Sequence, residues 1–126
     1  MTRLLSALTL ALAAACAPAL ASEIGGDWHL VGIEGSRAPA PLSITFAVDG
    51  TVSGQAPCNR YSGTLTIDGT SFRPGPIAAT RMACADLDGE TAYFRSLEKV
   101  TTAERGPGRL TLSGDGHTLT FVQPID

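Results

Sequence analysis

Hydrophobic and polar residues alternate most clearly at Leu42, Ile44, Phe46 and Val48, with Ser43, Thr45 and Ala47 between them. A period of two sends alternate side chains to opposite faces, so this stretch predicts a strand with one face buried. Asp49-Gly50 follows, a pair that tolerates the positive φ angles of a tight hairpin, and Thr51-Val52-Ser53 predicts the returning strand. The same arrangement recurs at Leu65, Ile67 and Asp68-Gly69, and again at Leu110, Leu112, Asp115-Gly116, Leu119 and Phe121. Hairpin signals of this kind predict an antiparallel sheet. An earlier strand is expected over 28–33, with Trp28, Leu30 and Gly32 on one face and Trp28 anchoring the core.

One segment changes period. After Asp86 and Asp88, both suited to a helix start, Tyr93, Phe94, Leu97 and Val100 fall at helical spacing and predict an amphipathic helix over about 88–104. Gly106-Pro107-Gly108 is expected to stop it, because proline cannot continue the hydrogen-bond ladder. The narrow apolar stripe is expected to close one end of a barrel or cover a sheet face, with a partner-binding surface as the alternative. Pro39-Ala40-Pro41 and Arg73-Pro74-Gly75-Pro76 read as stiff loops. The fold expected is mostly β (α+β): a small antiparallel β-barrel or sandwich with one amphipathic helix before the last hairpin.

The N-terminus predicts export. Arg3 provides the positive start, Leu4 to Ala15 an apolar run, and Ala19-Leu20-Ala21 the small-x-small site of signal peptidase, placing cleavage before Ser22. The run breaks at Pro18, short of the roughly 20 apolar residues that span a bilayer. A rival sits inside the same segment. Leu12-Ala13-Ala14-Ala15-Cys16 resembles a lipobox, with Cys16 as the lipidated residue after a signal at 1–15, although leucine stands one place further from the cysteine than is usual. Both readings lead to the same 22–126 domain, in the periplasm or outside the cell, or tethered to a membrane through Cys16.

Of 126 residues, nine are Lys or Arg and twelve Asp or Glu, a net charge of −3; loss of Arg3 with residues 1–21 makes it −4. The basic residues are scattered, which argues against nucleic acid as a partner. The length suits one small domain, expected to be a monomer. Without Cys16, the mature chain keeps Cys58 and Cys84, an even number in an oxidising compartment, for which pairing is the natural outcome. Two buried thiols and metal ligation remain alternatives at this point.

Candidate chemistry is sparse. His29 alternates with Trp28 and Leu30 and should face outward, while His117 follows a hairpin turn and should be solvated, so neither has an evident nucleophile. Asp49, Asp68 and Asp115 each precede a turn glycine, and Asp86, Asp88 and Glu90 lack the length and ligand order of a calcium loop. Gly25-Gly26 and Gly106-Pro107-Gly108 make no phosphate cradle. No catalytic residue, metal site or cofactor is expected. The richest cluster is Cys58-Asn59-Arg60-Tyr61-Ser62-Gly63, which reads first as a tight turn.

That cluster, with Thr80-Arg81-Met82-Ala83-Cys84, resembles the paired signature of the META domain, the HslJ-like family. Trp28, Phe46, Gly54, Glu90, Phe94 and Leu97, and the Leu110-Thr111-Leu112 and Leu119-Thr120-Phe121 pairs, fall in the family's order, so the resemblance covers about residues 26–122. It implies a β-rich barrel or sandwich with one helix, a disulfide joining Cys58 to Cys84, and a place in the bacterial envelope or outside the cell. It implies no reaction, only links to stress responses, antibiotic tolerance and motility or virulence. Pro57 departs from the glycine common before the motif cysteine. The expected function is therefore non-enzymatic binding of an envelope protein or apolar ligand, at Phe94 and Leu97 or around Asn59, Arg60, Tyr61 and Arg81. A lipid-anchored assembly factor and a small hydrolase using His29 or His117 are the alternatives.

Overall fold

Tight turns carry the chain from most of its strands to a spatial neighbour. The computed structural model describes residues 24–38 and 42–124, so the expected export signal, Cys16 and the expected Pro39-Ala40-Pro41 loop lie outside the described residues. Strands β1 (Gly26–Ile33), β2 (Ser36–Arg37), β3 (Ser43–Phe46), β4 (Thr51–Gln55), β5 (Arg60–Asp68) and β6 (Ser71–Ala79) precede helix α1 (Leu87–Lys99). Strands β7 (Thr102–Gly106), β8 (Arg109–Gly114) and β9 (His117–Val122) follow it. All pairings are antiparallel, and β1 joins both β3 and β9, so the sheet closes into an eight-stranded barrel with β2 as a short flap on β1.

The predicted hairpins form where aspartate-glycine pairs stand. At the β3–β4 turn the Asp49 carboxylate accepts the Thr51 N–H at 2.9 Å and the Thr51 hydroxyl at 2.7 Å, while Gly50 takes φ 89°, which a side chain would resist. The barrel fills with the inward residues of its strands, among them Trp28, Ile44, Phe72, Leu110, Leu112, Leu119 and Phe121, all fully buried. Phe46 and Phe72 meet edge to face with ring centres 6.4 Å apart. Among the described residues, no helix is long and apolar enough to cross a membrane.

Several local expectations change. Strand β3 ends at Phe46, and Val48 belongs to the turn with 86% of its surface exposed. A bulge between Leu30 and Gly32 shifts the alternation of β1, so Ile33 rather than Gly32 faces the core. The helix begins at Leu87 and stops at Lys99, five residues before the expected end, because Val100 is extended (ψ 143°) and the following segment pairs as β7. Ala103 is buried by the two-residue period of a strand rather than by a helical stripe. Gly106-Pro107-Gly108 therefore makes the β7–β8 hairpin, and the helix precedes a three-stranded meander instead of a single hairpin.

The stiff Arg73-Pro74-Gly75-Pro76 loop is instead the middle of β6. Prolines lack the N–H that a central strand must donate on both sides. Pro74 is tolerated because its main chain faces away from β5, on the side where, among the described residues, β6 pairs with β7 only through Ser71 and Thr102, and Pro76 because it falls at the bulge where the β5–β6 register shifts. Helix α1 packs beside β6 and reaches β9, covering this weak seam of the barrel. Its Tyr93 and Leu97 are buried, each such side chain contributing roughly 2 kcal/mol.

Candidate functional site

The loop from β4 to β5 is the four-residue turn Ala56-Pro57-Cys58-Asn59, in which the Ala56 N–H donates to the Asn59 carbonyl at 2.8 Å. Pro57 sits where its fixed φ suits a turn and where no N–H is needed. Cys58 is bonded to Cys84, with Cα atoms 5.4 Å apart, so the sequence alternatives of free thiols or metal ligation do not describe this pair. Among the described residues, no cluster of histidine, cysteine and acidic side chains could hold a metal ion.

A buried carboxylate ties the turn to the helix. Glu90 Oε1 accepts the backbone N–H groups of Cys58 and Asn59 at 3.0 and 2.8 Å, and Oε2 accepts the Asn59 side-chain amide at 2.6 Å. Asn59 then reaches the second motif: its amide donates to the Met82 carbonyl at 2.9 Å, and its Oδ1 accepts from the Met82 N–H at 2.6 Å and the Thr80 hydroxyl at 2.9 Å. Both side chains are buried and fully used. The disulfide and this network hold segment 80–84 against α1 through independent bonds. Asp86 stands at the N-cap of α1, but its side chain makes no capping hydrogen bond, so the expected capping role is not filled; its carbonyl only accepts the first intrahelical bond, from the Glu90 N–H at 3.1 Å.

Tyr61 and Tyr93 form a second network. The Tyr61 hydroxyl donates its one proton to the Ser43 carbonyl at 2.7 Å, so Tyr93 must donate to Tyr61 across 2.6 Å. Burial pushes both phenols upward from the ordinary value of 10.0, and for Tyr61 the hydrogen bond from Tyr93 opposes that rise. Tyr61 lies over Gly54, its partner across β4–β5, where any Cβ would strike the Ser43 carbonyl and the Tyr61 ring.

The binding residues expected from sequence divide sharply. Asn59, Tyr61 and Leu97 are buried and structural, so Leu97 offers no surface. Arg60 and Arg81 are exposed and Phe94 is half-buried. A cleft of about 260 Å³ lies between the end of β6 and α1, lined by Ala79, Arg81, Met82, Leu87 and Phe94 over a floor of Asn59 and Glu90. Met82 and Leu87 leave 65% and 40% of their surface exposed on its rim. Arg60 borders the adjoining cleft, which shares Ala79 and Thr80 with this one.

His29 faces outward as expected. His117 does not stand alone: its Nδ1 lies 2.9 Å from Ser96 Oγ and 3.0 Å from Glu34 Oε1, and Ser96 donates to the same Glu34 oxygen at 2.9 Å. For Glu34, desolvation favours the neutral acid, but the Ser96, Thr118 and His117 hydrogen bonds and the His117 charge outweigh it and hold the carboxyl below 4.5. Sequence reading missed Glu34 and Ser96 because they are far apart in the chain. The only local signal is that Glu34 precedes Gly35 in a turn, where it adopts φ 52°.

A family model described as "META domain" matches residues 19–125. The chain belongs to the META domain family. Its fold is similar to the NMR structure of a protein from Burkholderia xenovorans, 28% identical over 84% of this chain and 87% of that one, with a TM-score of 0.67. A second NMR structure, 24% identical, covers 81% of this chain and 92% of its own at a TM-score of 0.65. The crystal structure of a DUF4847 family protein from Bacteroides vulgatus, 17% identical, covers 79% and 92% at 0.60. The last two are likenesses of fold alone. No curated protein sequence matches the chain. META membership and the disulfide are both compatible with an exported or envelope location for this domain.

Proposed function

We propose that this META-domain protein is exported and works by binding an envelope partner or apolar ligand, without catalysis, in a role connected with stress. The observation that carries this reading is the cleft between β6 and α1, where Met82 and Leu87 stay exposed on a segment that the disulfide and the Asn59–Glu90 network hold rigid. Exposed apolar side chains on a pre-organised surface favour association, because little ordering entropy is lost on binding. A thermal-shift panel of lipids, peptides and cell-wall fragments tests it: stabilisation by one class, lost in Met82→Asp, supports binding, and no stabilisation by any class counts against it. Export is tested by the intact mass of the mature protein with and without reductant. A start at Ser22 with a disulfide fits plain cleavage, whereas a start at Cys16 with acyl mass fits the lipid anchor that the assembly-factor alternative requires.

A small hydrolase is the second reading, favoured by the meeting of Ser96, His117 and Glu34. In a nucleophile–base–acid relay the serine and the acid bond different ring nitrogens. Here both crowd Nδ1, the serine proton goes directly to the carboxylate, and Ser96 is buried, an arrangement suited to closing the barrel end. Retained cellular function in His117→Ala paired with His29→Ala would dismiss the hydrolase.

A further inference from the structure

The end of β6 is a sheet edge with no strand paired to it among the described residues, and it borders the cleft across from α1. The Thr80 N–H bonds to the Arg60 carbonyl at 3.0 Å, toward β5, and the regular register of Ala79 with Tyr61, Ala78 with Ser62 and Ile77 with Gly63 sets the alternation behind it. In an antiparallel ladder the main-chain groups of successive residues point to opposite sides. Those of Ile77 and Ala79 therefore point away from β5, where among the described residues β6 has no strand partner beyond Ser71. Edges of this kind invite pairing unless guarded. Pro74 guards the middle of β6, since it faces the unpaired side with no N–H to give an incoming strand, and the stretch from Ile77 to Thr80 lies past it.

What faces this edge is the apolar cleft already described, with α1 as its far wall. The charged groups lining it are Arg81 and Glu90, and Glu90 is buried with its oxygens occupied by three N–H donors. Arg60 stands at the adjoining cleft, and among the described residues neither arginine is ion-paired. In a chain of net charge −3, this edge thus presents cations that await an acceptor. Free main-chain donors and acceptors, an apolar slot and unpaired arginines together match a peptide better than a lipid, which has no backbone ladder to offer.

We propose that the groove between the β6 edge and α1 takes an extended acidic peptide segment, which pairs with Ile77 and Ala79 as an added strand. One apolar side chain of the peptide enters the slot at Met82, Leu87 and Phe94, and a carboxylate meets Arg81, a form of strand addition in a strand–helix groove. This deepens the binding function proposed above and rests on it.

The probes are a short synthetic peptide of alternating valine and aspartate with a free C-terminal carboxylate, its valine–lysine counterpart, its backbone N-methylated form, and dodecanoate. Each is titrated into the full mature protein, with binding followed by NMR and amide hydrogen exchange. The acidic peptide is expected to bind saturably, slow exchange at the Ile77 and Ala79 amides roughly tenfold or more, and shift the Met82 methyl. N-methylation should abolish binding with the protein unaltered. Arg81→Glu, an exposed change that leaves the melting temperature in place, should weaken the acidic peptide and favour the lysine one. Dodecanoate binding at Met82 without protection at Ile77 and Ala79, and with no response to the peptides, overturns strand addition and leaves the binding function standing. No response to any probe overturns both.

Discussion

Asn59 and Glu90 are locked by a 2.6 Å hydrogen bond between the amide of one and the carboxyl of the other, and each is also bonded to the backbone of a different motif segment. Glu90 holds the first cysteine's turn and Asn59 holds Met82 beside the second, so one buried pair aligns both segments of the signature with α1. The relationship has a directional consequence. Asn59 cannot turn its amide over, because its Oδ1 already accepts from Met82 and Thr80. Glu90→Gln must then set an N–H donor against the Asn59 N–H donor, leaving a buried conflict that is expected to cost about 1–3 kcal/mol. Glu90→Ala strands three donors and should cost more than Gln. Urea unfolding of the two variants checks the order, and equal stability of wild type and Glu90→Gln would contradict the network.

Gly54 and Tyr61 make a comparable demand on size. Because the Tyr61 hydroxyl passes over Gly54 to reach Ser43, Gly54→Ala forces the ring or the β3 backbone to move and should destabilise by roughly 1–3 kcal/mol. Tyr61→Phe keeps the shape but leaves the Ser43 carbonyl without this donor and the Tyr93 hydroxyl without its acceptor, a loss of about 1–2 kcal/mol. Thermal melts of both variants test this, with Ser53→Ala on the exposed face as the neutral comparison.

These examples show where the chain is readable. The hairpins at Asp49-Gly50, Asp68-Gly69 and Asp115-Gly116 are local, since turn residues act on their own backbone, and they are legible before any fold is known. The barrel's closure by β1 and β9, the β6 edge that tolerates Pro74 and the bulge that tolerates Pro76 depend on residues many turns away. Val100 to Glu104 carry both a helical and a strand pattern, and pairing with β8 decides for the strand. Glu90 reads as one more exposed acid near a helix start until Cys58 and Asn59 are seen to point at it. The motif cysteines and Arg81 were legible as a site, whereas the cleft itself is made by the approach of α1 to β6.

The disulfide spans 26 residues, and a loop of that size constrains the unfolded chain by about 3.5 kcal/mol. Cys84 is exposed while Cys58 is buried, so reductant reaches the bond from one side. Replacing both cysteines with serine is expected to lower global stability by approximately that amount. The Asn59–Glu90 bonds remain, so the loss should appear as earlier unfolding rather than as a different folded structure. Chemical denaturation gives the first quantity, and the dispersion of amide signals near Met82 gives the second.

Stability should fall at both extremes of pH, for opposite reasons. Tyr61 and Tyr93 have folded values raised above the unfolded value near 10.0, so their contribution is complete below that pH and is lost as pH rises through and beyond it. Phenolate absorbance should then appear together with unfolding, and Tyr93→Phe should remove part of the alkaline dependence. Glu34 and Asp49 are held below 4.5 and 3.8, Asp49 chiefly by the Thr51 hydroxyl and N–H. Their contribution is complete above those values and disappears as pH falls through the lowered ones, so the acid limb lies below about pH 4.5. Glu34→Gln removes the titration without removing the acceptor for Ser96, and it should flatten the acid limb while leaving the alkaline limb as it was. A denaturation series across pH that showed the reverse pairing would contradict both assignments.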